Sequence, residues 1–256
     1  MKQGRSGKLT GRLAAAAFWL GLWALLALLV DRELLLPSPA QVLAKLWALV
    51  RTAAFWQMTG MSILRVLAGI ASAVLLGLLG AALCHRSALA MQLISPVMTL
   101  VKSTPVASFI VLALVWIGRD SVPVFITALM VLPVVWANMT AALAQVDPQL
   151  TEMARVFAMP RGRVLRRVTV PSVLPAFRAA LSSALGLGWK AGIAAEVLTV
   201  PKYAVGRMIY EAKLYLETTE LFAWTVTVVL LSLVIERLLL LRLVSRIGRE
   251  RRAADA

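Results

Sequence analysis

The chain has 256 residues, of which 61% are hydrophobic and 15% charged, and its mean hydropathy is +0.84. Soluble domains run at about 45–50% apolar and about 25% charged, so a water-soluble enzyme and a disordered tail are excluded. A single cysteine, Cys84, excludes an internal disulfide, and the net charge of +15, which in a soluble protein points to nucleic acid, has to be read by its position along the chain.

A bilayer span takes roughly 20 apolar residues. Apolar segments near 13–30, 62–83, 91–117, 121–143, 173–199 and 219–241 therefore predict an all-α integral membrane protein of about six spans, forming one transmembrane domain over 1–256. The first segment is longer than a signal-peptide core and runs into Asp31-Arg32-Glu33 instead of a small-residue cleavage site, so it reads as a retained helix. The second carries Gly69, Ala73, Gly77 and Ala81 at every fourth position, and the fifth carries Ala176, Ala180, Ala184, Gly188 and Gly192 in the same way. Such ridges let helix backbones approach closely, and in lipid that packing drives association.

The third segment is different. About 30 residues at 1.5 Å each outrun a hydrocarbon core of ~30 Å. The segment contains Pro96 and then Lys102-Ser103-Thr104-Pro105. Pro105 lacks a backbone donor and disfavours helical geometry at Thr104, so a broken helix is predicted. At membrane depth such a break is tolerated only where protein or a watery cavity satisfies the freed carbonyls, which points it toward a pathway.

With the N-terminus placed in the cytoplasm, the inner segments collect Lys2, Arg5, Lys8, Arg12, Arg86, five arginines between 155 and 167, and Arg242, Arg246, Arg249, Arg251 and Arg252. The outer segments nearly balance. Positive-inside bias thus predicts two cytoplasmic termini, and the basic excess reports topology, with no nucleic-acid partner.

Three ionisable residues lie deepest: Lys102, Lys190 and Glu196. A charge near the bilayer centre costs at least ~2.5–3.5 kcal/mol, which makes each a functional candidate. Lys190 and Glu196 are six apart and cannot pair along one helix, so each needs a partner elsewhere. The alternative for each is snorkelling to an interface or a structural ion pair, and this is the favoured reading for Glu196, near the outer end of its span. The outer segment 202–217 mixes charge with Tyr203, Tyr210 and Tyr215, and Met208, Ile209, Ala212, Tyr215 and Leu216 fall near helical spacing. It reads as a short helix over the outer mouth or as an aromatic belt.

The inner loop 145–171 carries the most information. Asp147-Pro148 signals a helix start, Glu152 is placed at the head of a short helix where the dipole favours an acid, and Pro160-Arg161-Gly162 breaks it. A second basic piece leads to Pro171. Two short helices with a break between them suit a surface that docks another protein better than a basic loop resting on the inner leaflet.

This loop resembles the EAA loop of ABC-importer permeases, which reads E-A-A, three residues, G, nine residues, then I-x-L-P. Glu152, Met153 and Ala154 stand at E-A-A, Ala158 at the glycine, and Val168, Val170 and Pro171 at I-x-L-P. Met153 and Ala158 depart from the pattern, and Pro160 and Gly162 sit close enough to supply the turn that the glycine makes. Leu36-Pro37-Ser38-Pro39, Leu64-Arg65-Val66-Leu67-Ala68-Gly69, Val146-Asp147-Pro148, Ala195-Glu196 and Glu236-Arg237-Leu238 extend the resemblance to the nitrate/sulfonate/taurine-type permeases over most of the chain.

The resemblance implies a homodimeric permease in the bacterial cytoplasmic (inner) membrane, working with a cytoplasmic ABC ATPase dimer and an external (periplasmic or extracellular) substrate-binding protein. Glu152, Met153, Ala154, Ala158, Pro160, Arg161, Gly162, Val168 and Pro171 are then the ATPase-coupling residues, while Lys102, Ser103, Thr104, Pro105, Lys190 and Glu196 are the expected solute-pathway residues. The chain has no G-x-x-x-x-G-K-[ST] loop, so ATP and Mg are expected only in the partner ATPase. No catalytic set or metal site is expected, and His85 beside Arg86 is a solvated or headgroup residue. The rival classes are a secondary transporter, which needs coupling-ion sites, and a membrane-embedded enzyme, which needs converging catalytic groups.

Overall fold

The computed structural model describes residues 3–254, with side chains from Ala14 to Arg237; the terminal basic clusters named above, and Leu238, have side chains outside the described residues. The described chain is helical and without strands: α1 (Gln3–Val30), α2 (Pro39–Val50), α3 (Ala53–Arg86), α4 (Ala88–Ser103), α5 (Val106–Trp116), α6 (Val122–Ala144), α7 (Pro148–Val156), α8 (Arg161–Val164), a π-helical turn (Leu165–Thr169), α9 (Val170–Thr199), α10 (Val205–Leu214) and α11 (Thr218–Ala254). Four stretches are long and apolar enough to cross a bilayer: α3, α6, the run Arg161–Thr199 and the first part of α11. The α4–α5 pair makes a fifth if counted as one span, and the apolar part of α1 is the shorter Ala14–Val30.

The predicted break in the third segment is present. α4 and α5 meet at a 108° bend around Thr104 and Pro105. The carbonyl of Leu100 accepts from Thr104 N at 3.1 Å, Ser103 Oγ at 3.0 Å and Thr104 Oγ1 at 2.8 Å. That carbonyl keeps its ordinary helical donor, Thr104 N, and takes two hydroxyls besides, whereas Pro105 has no N–H for Val101 O.

α3, α6 and α9 form the centre of the bundle, and the small-residue ridges explain how. A Cβ at Gly69 would fall 2.6 Å from both Thr127 Cβ and the Val124 carbonyl oxygen. One at Gly192 would fall 2.6 Å from Thr127 Oγ1 and from Val66 Cγ2. Both ridges therefore close on α6 at the same residue, Thr127, which is fully buried. Val66, Ile70, Val131, Val135, Trp136 and Trp189 fill the space around this crossing. α5 lies across it, packing Ile110 and Ala113 against Val122, Ile126, Ala191 and Ala195.

At 1.5 Å per residue, the 30 residues of α9 extend about 45 Å. One end carries α7 and α8; the other carries α10.

Candidate functional site

At the α7 end, Asp147 caps α7 by accepting from Gln149 N at 2.8 Å, with Pro148 in the first turn. Glu152 is exposed one turn further on, not at the helix head as expected, and no basic side chain pairs with it among the described residues. Ala154 is buried (1% exposed), as is Val168 (7%), whereas Val156 and Phe157 stand 78% and 72% exposed. Leu150, Met153, Met159, Arg167, Val168 and Pro171 line one open hollow. The residues at the motif's two ends are thus brought together, with an apolar ridge beside them.

The turn differs from expectation. Ala158 itself adopts the left-handed conformation (φ 47°), and among the described residues no glycine has positive φ. Its N–H donates to Arg155 O at 3.0 Å, and the Met159 N–H reaches Ala154 O at 2.9 Å. These two bonds make a Schellman C-cap with Ala158 at the position that glycine normally takes. Pro160 and Gly162 are exposed and do not make the turn.

The second helical piece is also not separate. α8 runs through the π turn into α9, where the Val170 N–H donates to Leu165 O. Pro171 cannot donate to the carbonyl four residues back, and the wider π turn just before it takes up the mismatch without ending the helix.

In the middle of the bundle, Lys102, Ser103, Pro105 and Lys190 are exposed and Thr104 is half-buried. Glu196 is elsewhere: it is fully buried at the α10 end of α9. Its Oε2 accepts from Ser62 Oγ at 2.7 Å and Gly206 N at 3.2 Å, and its Oε1 lies 3.4 Å from Arg65 Nη1. Arg65 also donates to the carbonyls of Tyr203, at 2.9 Å, and Lys202. Asp120, on the α5–α6 connection, accepts from Lys202 N at 2.6 Å and lies 3.9 Å from Arg65 Nη2. A buried charge is tolerable only when paired and fully hydrogen-bonded, and this cluster meets both conditions.

Sequence reasoning missed Ser62, Asp120 and Gly206. Ser62 could have been found, because it stands three residues before Arg65 on one face of α3; Gly206 carried no readable signal. The 202–217 helix is present as α10, but its buried residues are Val205, Gly206 and Ala212, while Tyr215 and Leu216 lie exposed beyond its end. Beside it, Glu220 holds Lys45, 2.8 Å away, so that the Lys45 ammonium stays charged above its usual range despite partial burial.

Several apolar helices of bilayer length, one of them broken, with an exposed two-helix loop at one end, define a polytopic membrane permease. The chain belongs to the binding-protein-dependent transport system inner membrane component family, whose sequence profile matches residues 73–249. It is 25% identical over 220 residues to the taurine transport system permease protein of Escherichia coli (strain K12), covering 84% of this chain and 80% of that one. It is 28% identical over 215 residues to the nitrate import permease protein of Leptolyngbya laminosa, covering 77% and 74%. A probable ABC transporter permease protein of Brucella melitensis biotype 1 is 29% identical over 239 residues, covering 91% and 96%. Membership makes the chain a non-catalytic transport subunit, a multi-pass protein of the inner membrane, and implies ATPase and substrate-binding partners.

Proposed function

We propose that this chain is the permease subunit of an ATP-driven ABC importer for a small anionic solute such as a sulfonate or nitrate. It crosses the membrane about six times with both termini in the cytoplasm. It pairs with a second copy of itself, two ATPase subunits that hold ATP and Mg, and an external binding protein. The relatives named for taurine and nitrate support the solute class, as do two exposed lysines, Lys102 at the helix break and Lys190 on α9.

The observation that carries the proposal is the α7 end. An exposed apolar ridge, Val156 and Phe157 at the end of a nine-residue helix, stands beside Glu152, whose carboxylate has no basic partner among the described residues. A soluble surface has little use for two neighbouring bare apolar side chains; a docking helix does. Few residues must then carry the force, so each should behave as a hot spot whose loss costs ≥ ~2 kcal/mol. ATPase closure would pull α7. The hydrogen-bonded turn and the unbroken α8–α9 helix would pass the motion into the bundle as a rigid-body transition.

Glu152→Lys tests this. The substitution should weaken co-purification of the ATPase or uncouple hydrolysis from uptake, while the exposed position leaves the membrane fold intact. Unchanged co-purification together with unchanged uptake refutes the assignment.

A further inference from the structure

The N-terminus of α10 has no local cap. Its N-cap residue is Ala204, which offers no side-chain acceptor. The first free N–H groups are instead satisfied from other helices: Val205 N donates to Ser62 Oγ at 2.9 Å, and Gly206 N to Glu196 Oε2 at 3.2 Å. The helix is therefore capped in trans, by α3 and α9. A carboxylate at this point also meets the positive end of the α10 dipole.

The connection into α10 is held in the same way. Val200 and Tyr203 both adopt left-handed backbone (φ 47° and 53°). That conformation is unfavourable for a β-branched or bulky residue and persists only where the surroundings enforce it. Here the enforcement comes from Arg65, which takes the carbonyls of Lys202 and Tyr203, and from Asp120, which takes the Lys202 N–H. Gly206 admits the close approach: a Cβ there would collide with Glu196 Cβ and come within 2.6 Å of Val197 N. Away from this cluster α10 is attached by apolar packing, through Val205, Met208 and Ile209 around Phe55 and Trp224.

We propose that Arg65, Glu196 and Ser62 form a buried latch that fixes α10 to the end of α9 and makes α10 a cap moving with α9 during transport. The three are positioning residues: nothing in their arrangement is left free to bind solute, since both Glu196 oxygens and the Arg65 guanidinium are occupied. α9 joins the docking loop at its other end, so movement of α7 would reach α10 through one continuous helix. The moving cap rests on the importer reading above; the latch itself does not.

The test uses the full chain in lipid nanodiscs, alone and in the assembled importer. Ser62→Ala removes one trans cap without creating a buried charge, and Glu196→Gln keeps the shape while removing the charge. Loss of a hydrogen bond to a charged group should speed amide exchange over 200–214 by roughly tenfold in each variant, with exchange over α6 unchanged. In the importer, uptake should fall by at least about tenfold while basal ATP hydrolysis is retained. Unchanged exchange at 200–214 in both variants overturns the latch, as does an equal increase across α6. Faster exchange with wild-type uptake overturns the moving cap. Failure of the wild-type chain to assemble with an ATPase refutes the importer reading, and the moving cap with it, while the exchange result still decides the latch.

Discussion

Ala158→Gly should strengthen the docking loop. Ala158 is exposed and holds φ 47° at the end of α7, a conformation that costs an L-residue roughly 1–2 kcal/mol. Glycine removes that cost but loses roughly 0.5–1 kcal/mol more backbone entropy than alanine on ordering. The methyl group is exposed, so its removal forfeits no burial. The net stabilisation is about 0.5–1 kcal/mol, or roughly a two- to fivefold drop in the open fraction of the turn. Hydrogen exchange at the Met159 amide reads this directly, because its bond to Ala154 O exists only when the turn is closed. Exchange should slow in Ala158→Gly and quicken in Ala158→Val, where a β-branched side chain fits the left-handed region worse. Unchanged or faster exchange in the glycine variant refutes the assignment of strain to this residue.

Gly69→Ala should lower the thermal stability of the purified chain, because its Cβ meets the Val124 carbonyl, which is backbone and cannot swing away. Overpacking of this kind costs about 1–3 kcal/mol, whereas Gly60→Ala, with nothing within 4 Å, serves as the neutral control. Lys102→Met and Lys190→Met should leave stability unchanged, since both side chains are exposed, but should reduce uptake and solute-stimulated ATP hydrolysis. Normal values for both variants remove the two lysines from the pathway.

The bundle was largely legible because its signals are local. Hydropathy located the central helices, and Pro105 marked the 108° bend to the residue. The four-residue ridges announced close packing, yet their shared partner was not readable: that Gly69 and Gly192 both close on Thr127 depends on three helices meeting in space. Spacing around Glu152 located the two-helix loop, but an alanine at the position expected to hold glycine did not disclose whether the turn moved or was kept under strain. It was kept. Nor could a linear reading pair Glu196 with Arg65 and Ser62, which lie 131 and 134 residues away. Burial of a charge predicts that a partner exists but not which one. The count of spans is the least legible point: the third segment splits in two at a 108° bend, which hydropathy alone does not show.

Where the bundle can yield follows from where it cannot. α3, α6 and α9 touch through contacts in which a single added methyl group would collide with backbone or with a branched carbon, at Gly69, Gly77, Gly188 and Gly192. Close-packed interfaces of this kind switch between discrete arrangements and do not bend continuously. The three helices therefore form one closely packed body. Flexure is left to the break outside the crossing, at Thr104 and Pro105, where Pro105 has no N–H to return to Val101 O and the chain turns through 108°. The α8–α9 helix, continuous through the π turn, runs into this three-helix body without a break. At the far end of α9, Arg65 and Glu196 tie α10 to the same body.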